Sequence, residues 1–293
     1  SRSAQFAGDS ADDSTGARVP PLLSRTMYLG AHVATTPDKP ALIMTGSGYT
    51  RTFAELDADA NRLSQLLRAA GLKPGDHVAI CMENHDRYLE ILWGCQYAGV
   101  VYTAASSRLT SAELSYILND CAAKVFITSK YKADQAAEIV ADTPNVNLRL
   151  MLDGTIPGYE SYENAVAAHP TTPLPNRIAG TDMLYSSGTT GLPKGVTRAF
   201  VEQPLESSPT SVAPTLGLLF GVTSDSVYLS PAPMYHAAPL RFTMAAQSVG
   251  CTAVAMEHFD AEQYLAAVQA HKVTHSQVAV SYTHLRAHET LRY

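Results

Sequence analysis

The sequence of 293 residues has no block of basic residues, no CxxC pair and no apolar run long enough to cross a membrane. Its 21 basic and 27 acidic residues are mixed along the chain and give a net charge of -6. Proteins that follow a nucleic-acid backbone cluster Lys and Arg, so we expect no nucleic-acid partner. The longest apolar run, 212–222, is interrupted by Pro214 and Gly217 and is shorter than the ~20 residues of a spanning helix. Any membrane contact is therefore expected to be peripheral at most.

Cysteine is scarce, and no secretory signal is visible at the start of the sequence. The four cysteines lie in apolar segments without metal-ligand spacing, so we expect small buried side chains in a reducing compartment, the cytoplasm; spacing alone leaves a disulfide open. Residues 1–21 combine Ser, Gly, Asp and Ala with almost nothing to bury, which predicts disorder. They have neither the basic start nor the apolar stretch of a signal peptide, and they lack an initiating Met.

Short apolar strands alternate with amphipathic helices over most of the remaining sequence. Thr52 with Glu55, and Thr110 with Glu113, have the spacing of a capping box and predict two helix starts. We predict strands at 41–44, 78–82, 100–103, 124–128, 148–152, 227–229 and 252–255, and helices at 87–97, 132–140, 240–247, 261–270 and near Leu216. This alternation predicts an α/β fold with parallel sheets covered by helices on both faces. We expect two subdomains, at residues 22–176 and 177–278.

The segment 185–195, YSSGTTGLPKG, follows a predicted strand and has the composition of a phosphate-binding loop. Glycines let the backbone approach an anion, hydroxyls donate to phosphate oxygens, and a lysine adds a point charge. It is not a Walker A loop, because two residues separate Gly191 from Lys194 and Gly195 follows the lysine. The alternative is an exposed surface loop with an ordinary lysine. The predicted nucleotide-binding residues are Ser186, Ser187, Gly188, Thr189, Thr190, Gly191 and Lys194.

A second segment, 228–240, reads YLSPAPMYHAAPL and consists of a strand, a Pro-rich turn and His236. Together, the two segments resemble the signature loop and second core motif of the adenylate-forming superfamily, which includes acyl-CoA synthetases, luciferases and peptide-synthetase adenylation domains. The resemblance covers about residues 27–278. It implies that Lys194 and His236 are the catalytic residues, with His236 beside the reacting carboxylate. A general-base role does not follow, since a carboxylic acid is already ionised at neutral pH.

The resemblance to acyl-CoA synthetases implies ATP-dependent activation of a carboxylic acid, with a fatty acid as the expected substrate. An acyl-adenylate forms first, and coenzyme A then displaces AMP; Mg²⁺ is expected as cofactor. Two alternatives stay open within the superfamily: an adenylation domain that serves a carrier protein, and an aryl- or luciferin-type ligase. An alternative from another class is a non-catalytic ATP-binding fragment.

The family pattern is not expected to continue beyond about Val278. The resemblance implies a β-barrel region and a C-terminal domain, with the Mg²⁺-binding, ribose-binding and C-terminal lysine segments, none of which is recognisable in this sequence. We therefore expect the chain alone to be inactive. Residues 279–293 match no family segment and are interpreted as a foreign tail. His271 with His275, and His284 with His288, have i,i+4 spacing, but no Cys or carboxylate joins them, so no metal site is predicted.

Overall fold

The computed structural model describes residues 27–186, 193–196, 199–208 and 212–278. Residues 1–26 and 279–293 lie outside the described residues, and with them the predicted disordered start (1–21) and the predicted foreign tail (279–293). Two parallel sheets and a short antiparallel hairpin make up the strands of the described part. The predicted α/β fold is confirmed.

One sheet has six strands, all parallel, in the order β7-β6-β5-β3-β4-β8. Its central strands are continuous runs of buried apolar residues, as expected for a parallel sheet covered on both faces. The strands are β3 (His77–Cys81), β4 (Val101–Ala104), β5 (Ala123–Ser129), β6 (Leu148–Leu152), β7 (Glu160–Ser161) and β8 (Thr181–Asp182).

The other sheet has five strands in the order β13-β11-β12-β1-β2, and only the edge strand β2 is antiparallel to its neighbour. Its strands are β1 (Pro40–Met44), β2 (Thr50–Thr52), β11 (Val227–Ser230), β12 (Thr252–Ala255) and β13 (His275–Ser276). Strand β1 therefore pairs with a strand more than 200 residues later in the chain, with Leu42 opposite Ala253. The sheets cross the boundary expected at 176/177, and the division into two subdomains stays a prediction.

Helices cover these sheets, and their starts follow local sequence signals. Thr52 and Thr110 both form complete capping boxes, with Glu55 and Glu113, as the sequence predicts. Gly99, Gly221 and Gly250 end three helices in the left-handed conformation that glycine adopts readily. The helices are α1 (Phe53–Ala69), α2 (Tyr88–Ala98), α3 (Ser111–Asp120), α4 (Ala133–Glu138), α5 (Tyr162–Ala167), α6 (Ala213–Phe220), α7 (Ala237–Val249) and α8 (Ala261–Ala270).

The central core lies where α1 and α2 pack against the two sheets. Helix α2 is buried on all sides, and Trp93 is fully enclosed. Trp93 Nε1 donates a hydrogen bond to Gln247 Oε1 (2.7 Å), and Gln247 Nε2 donates to the Ala41 carbonyl (3.0 Å). These bonds join α2, α7 and β1, so one buried amide connects elements of both halves of the sequence.

The cysteines agree with the sequence-based expectation of buried side chains. Cys81, Cys95, Cys121 and Cys251 are buried free thiols, so none of them pairs in a disulfide. Within the described ranges, no helix combines the length and the apolar composition that a membrane crossing needs.

Candidate active site

The predicted phosphate loop is enclosed by a hairpin of two short strands, β9 (Leu184–Ser186) and β10 (Lys194–Val196). Ser186 pairs with Lys194, and Tyr185 pairs with Gly195. The hairpin therefore holds the first and last predicted loop residues next to each other, and both are exposed. The other predicted nucleotide-binding residues, Ser187, Gly188, Thr189, Thr190 and Gly191, lie outside the described residues.

Local packing explains the glycine that follows Lys194. A methyl group on Gly195 would lie 2.2 Å from Met183 Cε and 3.1 Å from the Tyr185 ring, closer than side chains can approach. The Tyr185 hydroxyl in turn donates a hydrogen bond to Asp120, at the end of α3. A larger residue at Gly195 would require the flexible Met183 side chain to turn away and the Tyr185 ring to shift by a few tenths of an ångström.

His236 lies in the turn that joins β11 to α7, which we call the β11–α7 loop (residues 231–236). Its extended backbone places it at the N-cap of α7, but its side chain forms no capping bond. The His236 amide donates to the Pro233 carbonyl (3.1 Å), and the imidazole lies 4.5 Å from the Tyr235 ring, centroid to centroid. The ring is therefore exposed at the start of a helix, next to an aromatic neighbour.

His236 is exposed overall, but the part of its ring that is shielded from water, and to a smaller degree the positive charge of Arg108, lowers its pKa below the ordinary value. A lowered histidine pKa favours the uncharged imidazole at neutral pH. In that form, the ring can donate one hydrogen bond and accept one without adding positive charge to the site.

The hairpin and the β11–α7 loop face the same cleft, which has a volume of about 660 Å³. Ser186 and Pro193 line it from the hairpin, and Tyr235 and His236 line it from the loop. Lys194 is not among the residues that line the cleft. Most of the remaining wall is apolar: Ala104, Ala105, Leu109 and Ile117 come from β4, α3 and the segment between them, and Leu184 comes from β9.

An ion pair lies at the edge of this cleft. Arg241 of α7 donates to both carboxylate oxygens of Asp182, from Nη2 to Oδ2 at 2.7 Å and from Nε to Oδ1 at 3.2 Å. The pair raises the pKa of Arg241, chiefly through these hydrogen bonds. Arg241 also lines a neighbouring cavity of about 280 Å³. Asp182 therefore offsets the one arginine charge that lines the wall of the cleft among the described residues.

The described residues offer no protein cage for a metal ion. Among them, no three His, Cys, Asp or Glu side chains lie close enough together to bind one. Mg²⁺ in nucleotide sites is held mainly by substrate phosphates and water with one or two carboxylates. A nucleotide-bound Mg²⁺ would therefore need fewer protein ligands than such a cluster supplies.

The sequence identified the two segments of this site but missed the ion pair and the apolar wall. Arg241 and Asp182 are 59 residues apart, so no local pattern connects them. Ala104, Ala105 and Leu109 follow β4 and carry no polar group that would mark a site. Only the tertiary fold brings these residues to the cleft.

Ser186 and Pro193, at the two ends of the predicted phosphate-binding loop, thus line the same cleft as a histidine at a helix start. The chain matches the AMP-binding enzyme family over residues 29–289, and it belongs to that family. The match extends past Val278, where the family pattern was expected to end, into residues that the structure does not describe.

Curated relatives include ligases for several acids. A long-chain-fatty-acid–CoA ligase of Mycobacterium tuberculosis is 31% identical over 238 residues, which cover 77% of this chain and 44% of that protein. A long-chain-fatty-acid–CoA ligase of Thermus thermophilus is 34% identical over 213 residues, 72% and 38% of the two chains. A fatty acid–[acyl-carrier-protein] ligase of Streptomyces coeruleorubidus is 34% identical over 182 residues, 61% and 33%. The chain thus spans a third to just under half of these relatives.

Solved structures share the fold. The inhibitor-bound N-terminal domain of FACL13 from Mycobacterium tuberculosis superposes with a TM-score of 0.72 at 25% identity, over 85% of this chain and 62% of that domain. A protein from Rhodopseudomonas palustris that is named after the long-chain-fatty-acid CoA ligases gives a TM-score of 0.73 at 22% identity, over 86% of this chain and 62% of that chain. At that identity the likeness concerns the fold alone.

Proposed function

We propose that this chain is the ATP- and acid-binding part of a ligase that converts a carboxylic acid, with a fatty acid as the first candidate, into an acyl-CoA thioester. The observation that carries the proposal is the shared cleft: the ends of the phosphate-type loop and His236 face one space of about 660 Å³ with mostly apolar walls. Activation of such an acid by ATP needs a polyphosphate site and an apolar pocket so close together that the carboxylate can reach the α-phosphorus.

The chemistry proceeds in two steps. A carboxylate oxygen attacks the α-phosphorus of ATP, the bond to the bridging oxygen breaks, and pyrophosphate leaves with the electron pair. The sulfur of coenzyme A then attacks the acyl carbonyl, and AMP leaves as the thioester forms. The protein contributes by orienting the reactants and by placing positive charge where negative charge develops.

The named residues have separate roles in this proposal. Ser186, Ser187, Gly188, Thr189, Thr190 and Gly191 hold the phosphates, and Lys194 stabilises charge on the leaving pyrophosphate. Lys194 is exposed beside Ser186, as a lysine that meets a soluble nucleotide must be. His236, uncharged at neutral pH, orients the acid on the other side of the cleft.

Helix α7 supports the placement of an anion near His236. Its first residue, Ala237, lines the cleft, and its first turn contains no acidic residue. The unpaired amides at a helix start carry a partial positive charge that favours a carboxylate or phosphate. The negative charge of Asp182 is neutralised by Arg241 and does not cancel the partial positive charge of this helix start. The helix start therefore remains a local source of positive potential next to the acid.

The relatives differ in the acid that they activate and in the acceptor of the acyl group, and they supply a second candidate for each. One relative is a fatty acid–[acyl-carrier-protein] ligase, and others include feruloyl-CoA synthase of Amycolatopsis and 2-succinylbenzoate–CoA ligase of Bacillus pumilus. A carrier-protein acceptor and an aromatic acid are thus the competing assignments. The apolar wall of Ala104, Leu109, Ile117 and Leu184 suits an aliphatic chain, whereas Tyr185 and Tyr235 in the same cleft offer rings to an aryl acid, so the choice between these acids rests on the assay.

Acid-dependent exchange of labelled pyrophosphate into ATP tests the first step. The complete gene product should catalyse exchange with hexadecanoate more efficiently than with benzoate or ferulate, and thioester should then form with coenzyme A. Exchange with aromatic acids only would replace the fatty-acid assignment. Thioester formation on an added acyl-carrier protein but not on coenzyme A would favour the second candidate. Absence of exchange with every acid, by a protein that binds ATP, would favour the non-catalytic alternative.

The location of the protein follows from the same proposal. Four free buried thiols agree with a reducing compartment. An acid, ATP and coenzyme A are all available in the cytoplasm, where we place the enzyme.

A further inference from the structure

Asn84 connects the end of one sheet to the ends of two strands in the other. It follows β3 by three residues, and it is 7% exposed. Its Nδ2 donates to the carbonyl oxygens of Ala232 (3.1 Å) and Met256 (2.8 Å), while its Oδ1 accepts from the Met234 amide (2.7 Å). Ala232 and Met234 belong to the β11–α7 loop, and Met256 directly follows β12.

Every polar group of the Asn84 side chain has a hydrogen-bond partner. A primary amide has two N–H donors and one oxygen, and here both donors and the oxygen have backbone partners. These partners are largely buried, so each would be left unpaired if the amide were removed. Asp would keep the acceptor but would turn its second oxygen toward the carbonyl groups. Asparagine is therefore the side chain that fits this position chemically.

The β11–α7 loop depends on Asn84 for its attachment. Among the described residues, no other side chain outside the loop donates to or accepts from its backbone. Met234 is 2% exposed and packs into the core, and two residues later His236 begins α7. The position of the imidazole therefore follows from the position of Met234, to which Asn84 is directly bonded.

We propose that Asn84 is a positioning residue for the active site, which fixes the β11–α7 loop and thereby the orientation of His236 toward the acid. This assignment rests on the proposed function, in which His236 orients the carboxylate. Asn84 itself does not line the large cleft and touches no reacting group. It acts on the loop through two backbone groups, the Ala232 carbonyl and the Met234 amide.

Gln247 provides a matched control, because it is a second buried amide that joins distant elements, here α2, α7 and β1. Its bonds go to Trp93 Nε1 and the Ala41 carbonyl, not to the β11–α7 loop. Asn84→Leu and Gln247→Met each replace an amide by an apolar side chain of similar size. Both variants lose buried hydrogen bonds, but only the first loses the attachment of the loop. A merely structural role of Asn84 predicts the same consequences for both.

The first measurement uses the unmodified chain and does not depend on whether a variant folds. Hydrogen exchange of the Met234 amide should be as slow as exchange in strand β12, because the amide is buried and bonded to Asn84. Exchange as fast as in an exposed turn would overturn the proposal. In Asn84→Leu, protection of this amide should fall roughly tenfold relative to β12, the loss expected for one hydrogen bond, and in Gln247→Met the ratio should not change.

The second measurement follows the His236 imidazole by nuclear magnetic resonance during a pH titration. In Asn84→Leu, the pKa of His236 should move up toward its ordinary value, because a released loop takes the ring away from the neighbouring groups that shield part of it from water and from the charge of Arg108. Gln247→Met should leave this pKa unchanged. An unchanged pKa in Asn84→Leu, or an equal shift in both variants, would contradict the positioning role.

Use of the acid separates this proposal from the proposed function. If His236→Ala and Asn84→Leu both raise the acid KM and leave the ATP KM unchanged, both proposals are supported. If neither variant changes the acid KM, but the protection of the Met234 amide and the pKa of His236 respond as expected, the role of His236 in acid binding fails and the positioning role of Asn84 stands. If only His236→Ala changes it and the amide stays protected in Asn84→Leu, the positioning role fails alone.

Discussion

At the scale of single residues, His77 at the start of β3 determines part of the pH dependence of stability. Burial lowers its pKa, with Asp76 opposing the shift, and its Nδ1 atom is buried without a hydrogen-bond partner. Below about pH 6.5, the unfolded chain binds a proton at this position that the folded chain does not yet bind. The stabilisation is therefore present above that pH and is lost as the pH falls toward the lowered pKa of the folded protein.

We expect His77→Gln to make the loss of unfolding free energy between pH 7 and pH 5 smaller than in the unmodified chain. Urea denaturation at the two pH values measures this difference. His258→Gln is the control, because His258 is an exposed histidine and should keep the original pH dependence. An identical pH dependence in the unmodified chain and His77→Gln would show that the lowered pKa contributes nothing.

Lys194 is exposed, so its replacement should affect chemistry and not folding. We expect Lys194→Ala to slow pyrophosphate release in the complete gene product by about 100-fold, as loss of a preorganised charge-stabilising group does in other enzymes. Rapid-quench measurement of the first turnover isolates this step. Lys73→Ala, which removes another exposed lysine, should have no effect. An unchanged first turnover in Lys194→Ala would remove this lysine from the proposed mechanism.

His236 should affect the acid and not the nucleotide. We expect His236→Ala to raise the acid KM roughly tenfold, equivalent to one lost contact of about 1.4 kcal/mol, while the ATP KM stays the same. The fold should survive, because the ring is exposed. Steady-state kinetics with each substrate varied in turn make the test. If the variant is insoluble but normally active per folded molecule, His236 is a structural residue.

At the scale of elements, the close contact of α1 and α2 depends on Gly94. A methyl group there would lie 2.7 Å from Leu63 Cβ, so alanine would force the helices apart. Alanine is preferred over glycine within helices by ~1 kcal/mol, whereas overpacking costs about 1–3 kcal/mol. We expect Gly94→Ala to lower the unfolding free energy by roughly 1 kcal/mol, the balance of these effects.

A double-mutant cycle separates the two effects. Leu63→Ala removes the close Cγ and Cδ2 atoms of Leu63 and leaves its Cβ, so in this background Gly94→Ala should be less destabilising. The free energy of unfolding in urea gives all four corners of the cycle. An equal destabilisation by Gly94→Ala with and without Leu63 would point to a cause other than the helix contact.

The element boundaries also show what sequence patterns can predict. Strands β6 and β12 and helix α8 begin and end where the sequence predicts, because each is a short run flanked by turn residues or caps. Helix α4 is shorter than predicted, since Ile139 and Val140 leave the helix while Ile139 remains fully buried. Apolar spacing indicates which face is buried, but the neighbours of the helix decide where it ends.

Partners across the fold were beyond the reach of sequence patterns. Nothing near Pro40–Met44 indicates that β1 pairs with β12, because strand pairing depends on the path of the whole chain. The same limit applies to the site: two motifs predicted Ser186, Lys194 and His236, whereas the bonds of Asn84 to the β11–α7 loop arise only in the folded protein. The roles of Ser186, Lys194 and His236 stay predictions, and the long-range contacts had no sequence signal.

At the scale of the whole molecule, the exposed apolar end of α6 should influence solubility. Leu218, Leu219 and Phe220 are 53%, 74% and 55% exposed in consecutive positions. Adjacent exposed apolar side chains promote association of soluble proteins. We expect Leu219→Lys to raise the protein concentration at which association begins, as measured by light scattering. Leu265→Lys changes an isolated exposed leucine and should have a much smaller effect. Equal effects of both variants would indicate a general influence of charge.

The reactivity of the four buried thiols can measure local unfolding of the protein. Burial raises the pKa of Cys121 to about 11 and that of Cys81 and Cys251 to about 12, and it raises the pKa of Cys95 further. Alkylating reagents attack the thiolate, so each cysteine should react only when its surroundings open. Cys81 lies in the six-stranded sheet, whereas Cys251 directly precedes β12 of the five-stranded sheet. Pulsed alkylation read by mass spectrometry would therefore time each half independently: simultaneous labelling would mean one cooperative unit, and staggered labelling would mean two.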